Sequence, residues 1–167
     1  THLILMKYDK RNQLVYEHDY NDELRDHDLK FIRLLDNELF LFSKTFEGKD
    51  AHTFNFHITS ISKDNGTIKE KPVQFDSYTP QNKNTIPDFL VKLSADEKKF
   101  IITRDHNTDN TSIGIMATQI GKEMSSKIQT PILINMDQHL FKLVDIQLAP
   151  GNKWLVTGRE SEYGGKK

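Results

Sequence analysis

Apolar residues along this chain recur at every second position in short runs separated by polar turns, and that spacing limits the fold more than any other feature. Phe54, Phe56 and Ile58 alternate with Asn55, His57 and Thr59, the pattern of a strand with one face in the core and one in water. Ile113, Ile115 and Ala117 alternate with Gly114, Met116 and Thr118 in the same way. Leu140, Val144, Ile146 and Leu148 form a third such run, interrupted by Lys142. Four other segments are unbroken: Leu3-Ile4-Leu5-Met6, Leu39-Phe40-Leu41-Phe42, Phe100-Ile101-Ile102 and Trp154-Leu155-Val156. Short runs rich in Ile, Phe and Val predict strands buried on both faces. Lys10-Arg11-Asn12, Asp64-Asn65-Gly66, Ala95-Asp96-Glu97 and Pro150-Gly151-Asn152 punctuate them. Asn65-Gly66, where both residues tolerate positive φ, predicts a type I′ hairpin. The chain reads as all-β.

These strands fall into a weak repeat. Leu35-Asp36-Asn37-Glu38-Leu39-Phe40-Leu41-Phe42, Leu93 through Ile102 and Leu148 through Val156 each give a strand, a tight polar turn and a strongly apolar strand. Leu39, Phe100 and Trp154 fill the equivalent place, 61 and 54 residues apart, so Trp154 is expected in core packing. An alternating third strand follows the first two copies, and Leu3 to Tyr8 reads as the same third strand of an earlier unit. A period of roughly 50–60 residues with about four strands per unit is the signature of propeller blades.

Leu93-Ser94-Ala95-Asp96-Glu97-Lys98-Lys99-Phe100-Ile101-Ile102-Thr103-Arg104-Asp105 resembles the blade core of WD40-like, TolB-type β-propeller repeats, a strand, Ser-Pro-Asp-Gly, apolar strand and Ser-Arg-Asp. It departs at Ala95 and Glu97, where that family has Pro and Gly. Leu148-Ala149-Pro150-Gly151-Asn152 keeps the Pro and loses the Asp, and the copy at Leu35 is poorer. The resemblance covers about two-thirds of the chain. It implies antiparallel four-stranded meanders forming part of a propeller, a non-enzymatic scaffold that docks protein, peptide or glycan through its loops, and a cell-envelope or secreted setting. It also leaves room for an accessory or gating domain of a peptidase or glycoside-active hydrolase.

The repeats amount to the end of one blade, two whole blades and the start of another, about three against the four to eight of closed propellers. Residues 1–160 are therefore expected to be a single repeat domain from a longer chain, with 161–167 a flexible tail. Self-association, or another β-meander such as a sandwich, would also resolve the shortfall. One segment competes with the strand reading. Asn21-Asp22-Glu23-Leu24 could cap a helix near 21–35 and make the chain α+β, although Leu29 to Leu35 equally fits a first blade strand.

Composition removes several functions. Among 167 residues, 23 basic and 24 acidic side chains leave a net charge of −1, so no global field draws nucleic acid. No apolar run approaches the ~20 residues of a membrane helix. Zero cysteines exclude thiol catalysis, disulfides and Cys-based zinc sites. No nucleophile elbow, Ser-x-x-Lys or Gly-rich phosphate loop is present, and no cofactor is expected.

The remaining candidates are clusters. Asp105, Asn107 and Asp109 place oxygens at alternate positions as a calcium loop does, but Asn110 and Met116 stand where such a loop needs Gly and Glu. A polar hairpin loop between Ile102 and Ile113 is the expected role of these residues. Asp22, Glu23, Asp26 and Asp28 with His27 concentrate acid, and this stretch is the best candidate for contact with a cationic partner. The seven histidines lack metal-binding spacing. His57 is expected on the wet face of its strand, whereas His52 and His106 fall in equivalent inter-strand loops that could share a rim. Asn65-Gly66-Thr67 and Asn110-Thr111-Ser112 match the glycosylation sequon.

Overall fold

The structure, a computed structural model, describes residues 3–48, 52–81, 86–106, 113–135, 141–149, 151 and 153–160. Every regular element among them is a strand. They are β1 (Ile4–Tyr8), β2 (Leu14–Asp19), β3 (Asp28–Leu35), β4 (Glu38–Glu47), β5 (Thr53–Ile61), β6 (Val73–Tyr78), β7 (Phe89–Leu93), β8 (Lys99–His106), β9 (Ile113–Gly121), β10 (Lys127–Ile134), β11 (Phe141–Ala149) and β12 (Lys153–Glu160). Chain neighbours pair antiparallel, giving sheets ordered β1-β2, β3-β4-β5-β6, β7-β8-β9-β10 and β11-β12. The chain is all-β and built of antiparallel meanders. It divides into two compact units, Thr1–Thr79 and Pro80–Lys167. The described residues contain no helix, so none is long and apolar enough to cross a membrane.

The helical alternative near 21–35 is not adopted, and the strand reading of Leu29 to Leu35 holds within β3. One bond of helical type forms, Leu24 N donating to Tyr20 O at 2.8 Å, followed by a tighter turn from His27 N to Leu24 O at 3.0 Å. From Asp28 onward the backbone pairs with β4 instead, because a ladder beside an apolar strand outweighs local capping.

The register carries the repeat. Leu34 opposes Leu39, Leu93 opposes Phe100 and Leu148 opposes Trp154. Leu39 also faces Ile61, as Phe100 faces Ile120. Three residues before each member of the trio the backbone is left-handed: Asp36 at φ 47°, Glu97 at 54° and Gly151 at 78°. Glu97 thus holds a left-handed conformation that ordinarily favours glycine. Its turn is closed by Ser94 Oγ on Asp96 Oδ1 at 2.6 Å and by Lys99 N on Ser94 Oγ at 3.1 Å.

The type I′ hairpin lies elsewhere than expected. Asp36 and Asn37 both take positive φ, 47° and 66°, and form the two-residue β3–β4 turn. Asn65-Gly66 sits inside the long β5–β6 connection, where Gly66 alone turns left-handed at 78°. Asn65 Oδ1 accepts instead from Thr67 N at 3.1 Å. Gly66 is required by a close approach: a Cβ there would lie 2.8 Å from Tyr16 Cε2 and 2.9 Å from His18 Cβ. The Tyr20 hydroxyl also donates to the Gly66 carbonyl.

Second strands are covered on both faces, as their unbroken runs predict. Phe40, Leu41 and Phe42 are buried in β4, and Phe100, Ile101 and Ile102 in β8. In the first unit Tyr20, Leu24, Leu41 and Ile61 form a core against which Leu3, Leu5, Leu29, Leu39 and Ile68 pack. In the second, Lys92 of β7 forms an ion pair with Asp145 of β11. The runs Leu3–Met6 and Trp154–Val156 depart from the expectation. Ile4 and Met6 are 40% and 45% exposed and Leu155 57%, because β1 and β12 stand in two-stranded sheets. Trp154 is half-buried.

Gly66→Ala should destabilise the protein by about 2–3 kcal/mol, combining a left-handed alanine with overpacking. Gly48→Ala, also left-handed at φ 57° but with open space around it, should cost only about 1 kcal/mol. Equal losses in urea denaturation would refute the packing role. Glu97→Gly should raise stability by up to about 1 kcal/mol by removing left-handed strain, and a drop in the denaturation midpoint would contradict it.

Candidate functional site

Along one face of β4, Leu39 and Leu41 give way to Ser43 and Thr45. Along the same face of β5, Ile61 gives way to Thr59, His57 and Asn55, the residues registered opposite. One end of this sheet face is therefore apolar and the other polar. The segment 20–27 lies over both. Leu24 and Tyr20 fill the apolar end, and His27 reaches the polar end.

There His27 Nδ1 is 2.7 Å from Ser43 Oγ, and Thr45 Oγ1 is 3.0 Å from His57 Nε2. The two imidazoles lie 4.7 Å apart at 57°. His57 Nδ1 and Thr59 Oγ1 are buried without a hydrogen-bond partner. Burial holds the His57 pKa down at about 4, and the neighbouring His27 pushes it the same way. Burial also lowers the His27 pKa, against the opposing pull of Asp26. Both rings are neutral at pH 7. His57, expected on a wet face, is instead half-buried.

A serine hydroxyl on an imidazole nitrogen is the local geometry of an activated nucleophile. Ser43, however, is 1% exposed, too deep for a carbonyl substrate to meet its oxygen in line. The pair fastens segment 20–27 to the sheet. That anchoring fixes what the segment turns outward: Asp22, Glu23, Asp26 and Asp28 are all exposed. Glu23 Oε1 lies 3.2 Å from His18 Nε2. Asp28 is engaged by Lys30 at 3.1 Å and Lys44 at 3.9 Å. Asp22 and Asp26 face solvent.

The other sequence candidates do not join this group. His52 sits before β5 with φ 46°, its ring edge-on to Phe46 and Phe54 at 5.3 and 5.7 Å and its Nε2 buried without a partner. His106 is the last residue of β8, opposite Gly114, the place Thr45 holds in β4 opposite Asn55. His52 and His106 are therefore not at equivalent loop positions. Asp105 is exposed, yet crowding by surrounding protein pushes its carboxyl pKa up, with Arg104 opposing and Asp88 adding to the rise. Asn107, Asp109 and the Asn110 sequon lie outside the described residues. Among the described residues, no three His, Asp or Glu side chains are placed to hold a metal ion.

Ser43, Thr45 and Thr59 escape the sequence reading, and His57 is there assigned to a wet face, because each stands in a strand register, where spacing alone hides a partner arriving from another segment. The signal available is the break of an apolar run at Ser43 opposite a histidine. No family model matches the chain, and comparison with curated proteins and with solved structures finds no match.

Because both histidines have folded-state pKa values below the ordinary 6.5, the unfolded chain takes up protons first as pH falls. Stability should be full above about pH 6.5 and decline toward pH 4, by about 2 kcal/mol after allowing for partial exposure. His57→Gln should flatten that slope in chemical denaturation measured at stepped pH. An unchanged slope would place the linkage elsewhere.

Proposed function

We propose that the chain is part of a β-propeller-type scaffold of the WD40-like, TolB-type kind and works as a non-enzymatic docking module for a protein or peptide in a cell-envelope or secreted setting. The reading is supported by the shared register and left-handed turn of the three repeats, which make a rigid framework on which loops vary. One observation carries the docking role. Segment 20–28 is pinned from beneath by Tyr20, Leu24 and His27 while its acids point outward.

A surface whose backbone is already ordered loses little conformational entropy on binding. Exposed carboxylates add steering and selectivity for a cationic peptide more than raw affinity. Asp22 and Asp26 are the contact residues of choice. Asp28 is partly neutralised by Lys30 and Lys44, so it contributes less. A glycan docked on the same loops would use these carboxylates as acceptors for hydroxyl groups, without salt dependence.

A fluorescein-labelled Lys/Arg-rich peptide should bind more tightly than its Ser/Gly counterpart in anisotropy titrations, and weaken as salt rises. Asp22→Asn with Asp26→Asn should reduce that affinity about tenfold, whereas Asp28→Asn should change it about twofold or less. Equal binding of cationic and neutral peptides, or a double variant that binds as well as the parent, would reject cationic docking at this segment.

A further inference from the structure

The contact between His27 and His57 leaves one nitrogen of each ring over. His27 Nδ1 is taken up by Ser43 Oγ at 2.7 Å, and His57 Nε2 by Thr45 Oγ1 at 3.0 Å. With each hydroxyl accepting, the rings carry their protons on those nitrogens. The lone pairs that remain belong to His27 Nε2 and His57 Nδ1. His57 Nδ1 is buried with no hydrogen-bond partner, a desolvation penalty that nothing else in the sheet offsets locally.

A metal-ligating histidine has this arrangement. One ring nitrogen donates to an oxygen that fixes tautomer and orientation, and the other binds the ion. The ring spacing fits as well. An ion about 2.0–2.1 Å from a ring nitrogen stands about 3.2 Å from that ring's centroid, so two rings at about 90–110° on one ion have centroids about 4.5–5.2 Å apart. The centroids of His27 and His57 are 4.7 Å apart, with the rings tilted at 57°. Both histidines are half-buried, so the pair is reached from solvent. Thr59, 0% exposed with its Oγ1 unpartnered, lies two residues along the same face of β5 and offers a hydrogen bond to water carried by an ion.

We propose that His27 Nε2 and His57 Nδ1 bind one zinc or copper(II) ion, with Ser43 and Thr45 orienting the two rings from behind. Imidazole nitrogen suits these ions, whereas calcium and magnesium take oxygen ligands. No third His, Asp or Glu joins the pair among the described residues, so the ion keeps open positions for water, unlike a closed four-ligand site. Bound there, it clamps segment 20–27 to β5. The site stands independently of the propeller reading and of peptide docking.

Zinc added to the whole chain at neutral pH should raise the urea midpoint saturably, at one equivalent. Copper(II) should give an electron paramagnetic resonance spectrum split by two nitrogens. In competition with a chromophoric chelator, His27→Gln and His57→Gln should each weaken zinc binding at least tenfold. Thr45→Val, which removes an orienting hydroxyl and no ligand, should weaken it about tenfold. His18→Gln, a histidine paired with Glu23 instead, should leave it unchanged. The copper spectrum is read on the unaltered chain, so a histidine variant that fails to fold does not shield the proposal. A midpoint indifferent to zinc together with a copper spectrum lacking the two-nitrogen splitting overturns the site. Zinc affinity kept by either His27→Gln or His57→Gln, or lost in His18→Gln, overturns it too. Affinity unchanged in Thr45→Val overturns the orienting role.

Discussion

Burial of the second strand on both faces is the constraint from which the rest of each unit follows. Phe40, Leu41 and Phe42 are 0–1% exposed on three successive positions, and successive side chains point to opposite faces. At about 1.5–3 kcal/mol for each side chain removed from water, the strand is stable only where something covers both sides. On one face of β4 that cover is Tyr20 and Leu24 with Leu3 and Leu5. On the other, Phe42, Phe56 and Phe75 of the same sheet pack side by side, with Phe75 at 6.4 Å from Phe42 and 6.2 Å from Phe56. Segment 20–27 is thus part of the core and is held there before any surface role arises.

The polar end of the same face shows what this arrangement costs. A histidine brought against another at 4.7 Å under partial burial must stay neutral, since charging either ring would put a cation beside its neighbour in a poorly solvated place. Ser43 and Thr45 supply hydroxyls that suit neutral imidazoles in either tautomer. The unpartnered His57 Nδ1 and Thr59 Oγ1 are penalties carried by the surrounding apolar packing. A local conflict of this kind, tolerated in an otherwise consistent sheet, is characteristic of positions with a role beyond folding.

The class of fold was legible in residues such as Phe54, Phe56 and Ile58, whose period of two survives as alternating burial in β5. The equivalence of Leu39, Phe100 and Trp154 was legible too, with one correction. Leu34, not Leu35, occupies the place of Leu93 and Leu148, because the β3–β4 turn is shorter than the turn before Phe100. The helical alternative at 21–35 failed for a tertiary reason: capping residues promise a helix only if no better backbone partner is near, and β4 was near. The candidate site was legible in its exposed half, Asp22 to Asp28. Its buried half was not, since His27 and His57 are 30 positions apart and meet only through the β4–β5 register.

The same reasoning explains why one kind of sequence run has two outcomes. Leu39–Phe42 and Trp154–Val156 are both unbroken apolar segments that follow a left-handed turn, yet Leu41 is 1% exposed and Leu155 57%. Nothing intrinsic to the residues produces that difference. It follows from the strand on the next edge, which β4 has in β5 and β12 lacks among the described residues. A chain under selection for solubility blunts such an edge with lysine, proline or a bulge. β1 follows Ile4, Leu5 and Met6 with Lys7 and a register shift at Lys7/Tyr8, and β12 sets Lys153 before Trp154, Leu155 and Val156 and Arg159 and Glu160 after them.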